Sequence, residues 1–544
     1  MGLSPTQRWL VAGIAALCSC YVAGALTTSP SLFPDPARGF LVERAGAQGA
    51  PWNHYFEPSP EDISQDRAYF NAAWSPGQNM LPAVLVRAGL SWGDAMRAVN
   101  IVASLAGLLG WFLLHRALGF DLTAALTAAL LIAAARTFAF PFLTYIGGEL
   151  LAFAAFPYLA LAVLKVQGSP WLIAVAPVTM MAGFFFKHSL AIYIAGWTAA
   201  VVAVALGRRP RPAGRVIAAV AVAAVLVGTA WLIEWGYASR GWSAITYQPV
   251  WSGDPAAYLV AWAMPLLAAT GIDHVLSRVF DHPQLPQFDY RHSLWFLIPT
   301  ILASGWILWA AQRMGPLRET VRMAVLATVA IVVVFSGLLV TGSANELYLS
   351  RHYVIAGFVL LPILIQSLRL ARSVAIRRAG AVCLLVPALY GVASFASNWR
   401  RHFDGRTMRS TVTGVAHLST SPAVLQAFHA LDSAGGPTTL VVLPQPSLVV
   451  EFAQARVLAT GAAAERVEDV GRYQWRGRAD NLVVVTEDAA QAPAQIREWL
   501  AAFPSYPADG WSRVTLDGYS FHVPAGQVMD ARWLEAHVVG VARD

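Results

Sequence analysis

Long apolar runs separated by clusters of arginine limit this chain to one architecture, a bundle of helices crossing a membrane many times. A crossing helix needs about 20 mostly apolar residues. The runs of that length are Trp9–Thr27, Arg97–His115, Leu122–Phe138, Leu150–Val166, Pro170–Phe186, Ser189–Leu206, Val216–Trp235, Ser293–Ala311, Val321–Thr341, Tyr353–Leu370 and Ala379–Ala396. Arg208, Arg209, Arg211 and Arg215 form one basic cluster, Arg313, Arg318 and Arg322 a second, and Arg369, Arg372, Arg377 and Arg378 a third. Short basic loops stay in the cytoplasm, so the three clusters belong on one face. With the N-terminus on that face, anchored by Arg8, the inner loops also take His115, Arg116 and Lys165.

One segment strains this parity. Ala256–Ile272 is apolar enough for a short crossing, with Pro265 in its middle. Counted as a span, it would put the last two arginine clusters outside, so the sequence predicts a re-entrant or half-buried helix on the outer face. Residues 28–96 and 236–292 are then long outer loops, and the tail from Ser397 is also outside.

Composition agrees with a membrane protein. Of the residues, 57% are hydrophobic and 13% charged, with a mean hydropathy of +0.52; a soluble protein carries about 25% charged residues. The net charge of +7 lies in the short loops and forms no basic patch on a soluble module, so no nucleic-acid partner is expected. Cys18, Cys20 and Cys383 all fall in apolar runs and offer no disulfide framework. Apart from Lys165 and Lys187 the basic side chains other than histidine are arginine, as in GC-rich bacterial genes. The expectation is a multi-pass protein of a bacterial inner (cytoplasmic) membrane, its first run an uncleaved helix, its N-terminus cytoplasmic and its C-terminal domain periplasmic.

The tail changes character. Thr438–Leu443 and Asn481–Thr486 are short β-branched runs that predict buried strands. Ala489–Phe503 has helical spacing, and Trp511–Leu516 with Tyr519–Val523 predicts a hairpin around Asp517-Gly518. The fold class is therefore mainly α: a transmembrane domain over residues 1–396 with about eleven helices, followed by an α/β domain over 397–544.

Polar residues concentrate in the first outer loop, which contains Glu61, Asp62, Asp66, Tyr69, Trp74 and Gln78. A helix over Glu61–Asn71 would put Asp62 and Asp66 on one face, four residues apart. Two carboxylates beside a membrane suit general-base chemistry at the lipid interface. The plainer account is a solvated helix start capped by Ser59. The outer ends of other runs add Arg136, Tyr145, Glu149, Lys187 and His188. Lys187-His188 lies where the positive-inside rule gives a cation no place, which suits a phosphate partner; snorkelling to lipid headgroups is the alternative.

A first span, a long acidic loop, and a turn before the second span resemble the GT-C glycosyltransferases. The similar elements are Asp66-Arg67-Ala68-Tyr69, the Ser75-Pro76-Gly77-Gln78 turn after Trp74, the Glu61-Asp62 pair, and Glu346-Leu347-Tyr348-Leu349-Ser350-Arg351-His352-Tyr353 before the tenth run. The resemblance implies an inverting transfer of a sugar from a polyprenyl-phosphate donor in the membrane lipid to a glycan, lipid or protein acceptor. It implies a base among Asp66, Asp62 and Glu61, with the choice open. Arg351 and Tyr353 would hold the lipid phosphate with Lys187 and His188, and Tyr69, Trp74, Gln78, Glu149 and Glu346 would line the groove. Arg351 and Tyr353 also suit plain interfacial anchoring, as do the loop tryptophans.

His54, His274, His282 and His292 do not reach metal-ligand spacing, so no metal ligands are assigned and a divalent cation stays open as a cofactor. No Gly-x-x-x-x-Gly-Lys or Gly-x-Gly-x-x-Gly motif argues for a nucleotide. The rival reading, a transporter or lipid flippase, predicts ionisable residues at the midplane and inverted halves; these runs carry few internal charges.

Overall fold

The structure, a computed structural model, describes residues 2–47, 49–58, 66–207, 213–240, 255–279, 301–302, 305, 314–340, 350–459, 472–473, 481–487 and 510–543. The principal helices in the first half are α1 (Pro5–Thr27), α2 (Pro34–Ala47), α3 (Gly77–Arg87), α4 (Trp92–Ala117), α5 (Leu122–Ala134), α6 (Arg136–Ala139), α7 (Gly148–Lys165), α8 (Leu172–Phe186) and α9 (His188–Gly207). After them come α10 (Ala213–Gly236), α11 (Pro255–Thr270), α12 (Ile272–Val279), α13 (Arg318–Val340), α14 (Val354–Leu370), α15 (Val374–Asp404) and α16 (Pro422–Gly435). Among the described residues α1, α4, α7, α9, α10, α13 and α15 are long and apolar enough to cross a membrane, while α8 and α14 are shorter apolar helices. The chain is a multi-pass membrane protein. The run Ser293–Ala311 lies mostly outside the described residues.

The ends of these helices follow local chemistry. Ser4 caps α1 in a reciprocal capping box with Gln7, Ser91 caps α4 and Asp121 caps α5, each satisfying an otherwise orphaned amide. Small residues then let helices approach. Gly107 and Gly110 of α4 face Phe153 and Pro157 of α7, and α5 buries Ala124, Ala125, Ala128, Ala129 and Ala133. Lipid chains supply no hydrophobic drive between helices, so such close van der Waals packing carries the association.

Three expectations change. The predicted span Leu122–Phe138 is broken at Ala135, and Arg136–Phe142 continues at 65° to α5. The α15 backbone passes against this break at Gly391, where a Cβ would overlap the Ala134 carbonyl oxygen. The segment predicted to lie half-buried on the outer face is α11, whose residues Ala263–Ala269 are enclosed against α13 and α14. Gly357 of α14 meets the α11 backbone at Pro265 with no room for a side chain. Finally, α15 runs past the predicted end at Ala396 to Asp404, so the tail begins on the end of a helix rather than at Ser397.

The strands are β1 (Ser31–Leu32), β2 (His54–Pro58), β3 (Asp66–Phe70), β4 (Thr144–Tyr145), β5 (Thr439–Leu443), β6 (Arg456–Ala459), β7 (Arg472–Tyr473), β8 (Asn481–Thr486), β9 (Ser512–Leu516) and β10 (Tyr519–Val523). The tail holds a five-stranded mixed sheet in the order β6-β5-β8-β10-β9. β5 is parallel to β6 and β8, and β10 is antiparallel to β8 and β9. The hairpin turns at Asp517 (φ 44°) and Gly518 (φ 84°), the paired positive angles of a two-residue hairpin turn. The segment with helical spacing at Ala489–Phe503 lies outside the described residues.

First loop and tail are one platform. β2, β3 and β7 form a three-stranded antiparallel sheet in which the loop supplies two strands and the tail the third. Leu41, Val42 and Ala45 of α2 enter the tail core with Val424, Phe428 and Leu448, and the Arg44 guanidinium donates to the Ala455 carbonyl. The helix expected over Glu61–Asn71 is not what forms at its end: residues 66–70 are β3, and Glu61 and Asp62 lie outside the described residues. Pairing with β2 stacks Tyr69 on Tyr55 at 5.7 Å between ring centroids, a cross-strand contact that a solvated helix would forgo.

Glu451 ties the start of the tail to its core. Its carboxylate, fully enclosed, accepts from Ser410 Oγ (2.6 Å), Thr413 Oγ1 (2.6 Å), His417 Nε2 (2.7 Å) and His429 Nε2 (2.8 Å). Burial alone would raise its pKa, but the hydrogen bonds from His417 and His429 outweigh burial and hold it at about 2, below the 4.5 of a free glutamate. A depressed carboxylate contributes stability above its unfolded pKa and loses it as pH falls through the folded one. The difference corresponds to about 3 kcal/mol at neutral pH. Unfolding of the tail followed against pH should therefore show stability lost between pH 4.5 and 2, and Glu451→Gln should be less stable at neutral pH and flatter across that window.

Candidate active site

A short parallel ladder builds the site. Emerging from α1, Ser31 and Leu32 pair with Thr144 and Tyr145; the Ser31 amide donates to the Leu143 carbonyl and the Phe33 amide to the Tyr145 carbonyl, both at 3.0 Å. Pro34-Asp35-Pro36 then starts α2, while on the other strand Gly147 turns the chain into α7 with Glu149 in its first turn. Gly147 has φ 62° and stands where a Cβ would lie 2.7 Å from Gln78 Oε1, so only glycine fits. Two acids separated by more than a hundred residues are thus set beside each other.

Two cations meet them. Lys187 closes α8, and its Nζ lies 2.9 Å from Glu149 Oε1. Arg351, in the single helical turn before α14, places Nη1 at 2.9 Å from Asp35 Oδ2 and 3.7 Å from Glu149 Oε1. The four side chains are largely shielded, from 16% exposed for Lys187 to 33% for Asp35. Carboxylates and cations balance, which is what makes burying four charges tolerable.

These side chains line a cavity of about 410 Å³ whose walls are otherwise mainly apolar, including Phe33, Phe138, Phe140, Phe153 and Phe358. Arg136 and His274 also line it. Arg136 Nη1 donates to His274 Nδ1 at 3.2 Å, which leaves the imidazole proton on Nε2. Among the described residues Arg136 has no carboxylate within ion-pair distance, and its Nε is buried without a partner. The described lining therefore carries two carboxylates, Asp35 and Glu149, against three permanent cations, Arg136, Lys187 and Arg351. Beside the quartet, His352 is buried; burial and then the Lys187 and Arg351 charges push its pKa well below the ordinary histidine range, so the ring is neutral.

The residues singled out in the sequence divide. Arg351, Lys187 and Glu149 come together at the cavity. His188 does not line it: its ring stacks on Phe184 at 4.8 Å and meets Tyr237 edge-on. Tyr353 is buried against Phe335. Gln78 braces the site from behind, receiving the Gly148 amide on Oε1 at 3.2 Å and the Tyr145 hydroxyl on its carbonyl. The Trp74 carbonyl accepts from Tyr237, and Tyr69 belongs to the platform core. Asp66 is on β3, with its backbone opposite Pro58 and Tyr473. Glu61, Asp62 and Glu346 lie outside the described residues. Among the described residues the first-loop acid that lines the cavity is Asp35, which has no acidic neighbour at helical spacing. Its signal was its place, between two prolines at the first helix start after the first span.

A bundle of long apolar helices, a first-loop helix, a tail domain packed on that helix and a charged cavity at their junction together make up the architecture. Among solved structures the chain is similar to ArnT from Cupriavidus metallidurans bound to undecaprenyl phosphate, at 15% identity over 97% of this chain and 100% of that one, with a TM-score of 0.51. It also matches, below a TM-score of 0.5, the Archaeoglobus fulgidus oligosaccharyltransferase (12% identity, 93% of this chain and 73% of that one, 0.46) and the mycobacterial arabinofuranosyltransferase AftD (14%, 97% and 40%, 0.42). At such identities the ArnT likeness establishes the fold. No family profile and no curated protein sequence matches the chain.

Gly391 supports the cavity from outside. A Cβ there would overlap the Ala134 carbonyl and stand 2.7 Å from the Arg136 amide nitrogen. Gly391→Ala should lower stability by about 1–3 kcal/mol, the usual range for overpacking, read as a lower thermal midpoint of the purified protein in detergent.

Proposed function

We propose that this protein is an inverting glycosyltransferase that moves a sugar from a polyprenyl-phosphate donor to a glycan, lipid or protein acceptor on the outer face of a bacterial inner membrane. The observation that carries the reading is the Asp35–Arg351–Glu149–Lys187 cluster facing an apolar cavity within a GT-C fold. The arginine clusters supply the orientation, with the first loop and the tail periplasmic and the N-terminus cytoplasmic.

Each part has a role. The apolar wall accepts the first isoprene units, and Arg136 offers the phosphodiester a cation with no carboxylate partner among the described residues. Asp35 removes the acceptor hydroxyl proton as that oxygen attacks the anomeric carbon, and the lipid phosphate leaves from the opposite side; a single displacement inverts the centre. Lys187 and Arg351 face the charge that develops on the departing phosphate, where fixed donors in a water-poor site have their largest effect. Glu149 holds both cations in place. His188 and Tyr353 act from behind the cavity wall by packing.

We place the base at Asp35 because, among the described residues, it is the first-loop acid that lines the cavity and touches Arg351. Among the described residues no group of three His, Cys, Asp or Glu is placed to hold a metal ion, and both cavity carboxylates face cations. No step is therefore routed through a divalent cation.

The test is transfer by membranes or purified protein supplied with a panel of polyprenyl-phosphate sugars, reading release of the lipid phosphate. Asp35→Ala should lose about 10²–10⁴ in rate, the usual contribution of a general base, while Asp66→Ala keeps transfer. An Asp35→Ala protein as fast as wild type would defeat the assignment.

A further inference from the structure

Resting on that reading, we propose that Arg351 is handed from Asp35 to the departing lipid phosphate during the reaction, so that proton uptake and leaving-group departure are a single coupled event. The geometry that points there is the direct pair between the acid in the position of the base and one of the cations in the position to meet the phosphate, 2.9 Å apart on the cavity wall. A base that is ion-paired before reaction is a poor proton acceptor, because the neighbouring guanidinium favours its charged form. The pair makes chemical sense if it opens as the proton moves.

Charge conservation shows how it opens. Before transfer the described lining holds three cations and two carboxylates, and a sugar phosphodiester brings one negative charge, so the charges of the described lining and the donor sum to zero. In the reaction the acceptor oxygen bonds to the anomeric carbon and the bond from that carbon to the phosphate oxygen breaks, its electron pair staying on the phosphate. The acceptor proton goes to the Asp35 carboxylate. Asp35 becomes neutral as the lipid phosphate goes from one negative charge to two, and the sum is zero again. Within apolar walls either half-step alone would leave an uncompensated charge, which is strongly unfavourable. Arg351 is the group that converts one change into the other: released by a neutral Asp35, it pairs with the new charge on phosphate. As it leaves, Asp35 becomes the stronger base at the moment the proton arrives. Lys187 stays with Glu149 throughout, which keeps the second cation in place.

The idea makes an unusual demand on a variant that cannot turn over. Asp35→Asn copies the shape and charge of the protonated acid, so Arg351 should already be released in it. Full-length wild type and variants in nanodiscs would be titrated with a polyprenyl monophosphate, with the uncharged polyprenol as control for the lipid chain. Asp35→Asn should bind the monophosphate at least tenfold more tightly than wild type, with polyprenol binding unchanged. In Asp35→Asn/Arg351→Gln the gain should vanish relative to Arg351→Gln alone. A gain that survives without Arg351 would mean simple loss of a repelling charge and would overturn the handover, as would no gain at all. Failure of every form to prefer the phosphate over the alcohol would overturn the glycosyl-transfer reading and the handover with it. Phosphate-selective binding without the Arg351-dependent gain removes the handover alone. Matching thermal midpoints of wild type and Asp35→Asn ensure that the comparison is between folded proteins.

Discussion

Four mutually compensating charges, Asp35, Arg351, Glu149 and Lys187, draw together segments that the chain keeps far apart: the start of the first-loop helix, the start of α7, the end of α8 and the turn before α14. Pairing offsets much of the cost of shielding these four charges from water, a cost that each would bear in full if left unpaired. Compensation and architecture are therefore the same requirement. The ladder of Ser31–Leu32 on Thr144–Tyr145 sets the two acids side by side, and the helix ends deliver the cations to them. Near the outer end of an apolar run, the helix break at Ala135 likewise brings Arg136 to the wall of the same cavity.

Above the cavity, the first loop is clamped on both sides. Glu43 of α2 accepts from Asn79 Nδ2 at 2.8 Å and from Arg87 Nη2 at 2.6 Å, both on α3. The opposite face of α2 sinks into the tail core. Asp35 sits in the first turn of that clamped helix, so its direction into the cavity is fixed by packing on the tail as well as by its ion pair. The tail accordingly shares the loop's structural role, holding the acid-bearing helix through β7, α16 and the Glu451 network. A separate domain tethered by a linker would do none of this.

Much of the scaffold was legible because it rests on periodicity and length. Apolar runs locate most of the described long helices, and the β-branched stretches locate β5 and β8. The Asp517-Gly518 turn is dictated by its own residues. What the sequence hid was set by distant partners. α11 is apolar in sequence whether it lies at a surface or inside, and only Gly357 on α14 reveals how deeply it packs. The kink at Ala135 depends on Gly391, far along the chain. Within the site, Lys187 was visible because it breaks the positive-inside pattern, and Arg351 because it stands at a helix start with Tyr353. Asp35 was not, because the partner that meets it at the cavity, Arg351, is 316 residues away. Helical spacing marks acids that have acidic neighbours, whereas this site uses acids that have cationic ones.

The apolar walls are part of the chemistry as much as of the packing. In water, a guanidinium and a carboxylate at 2.9 Å would exchange partners freely and gain little, since their attraction is screened. Beside Phe33, Phe138, Phe140, Phe153 and Phe358, the same pair is less screened than in water, and a new anion placed beside it competes for the guanidinium. Sensitivity to one added charge is what a site needs if the leaving group is to gain a charge as the bond breaks. In the proposed transfer the same walls would accommodate a lipid tail and keep water from the anomeric carbon, so that the acceptor hydroxyl, rather than solvent, is the nucleophile presented to it. On the proposed reading, a more polar cavity with identical charged residues would bind phosphate and transfer sugar poorly, because each charge would already be satisfied by water.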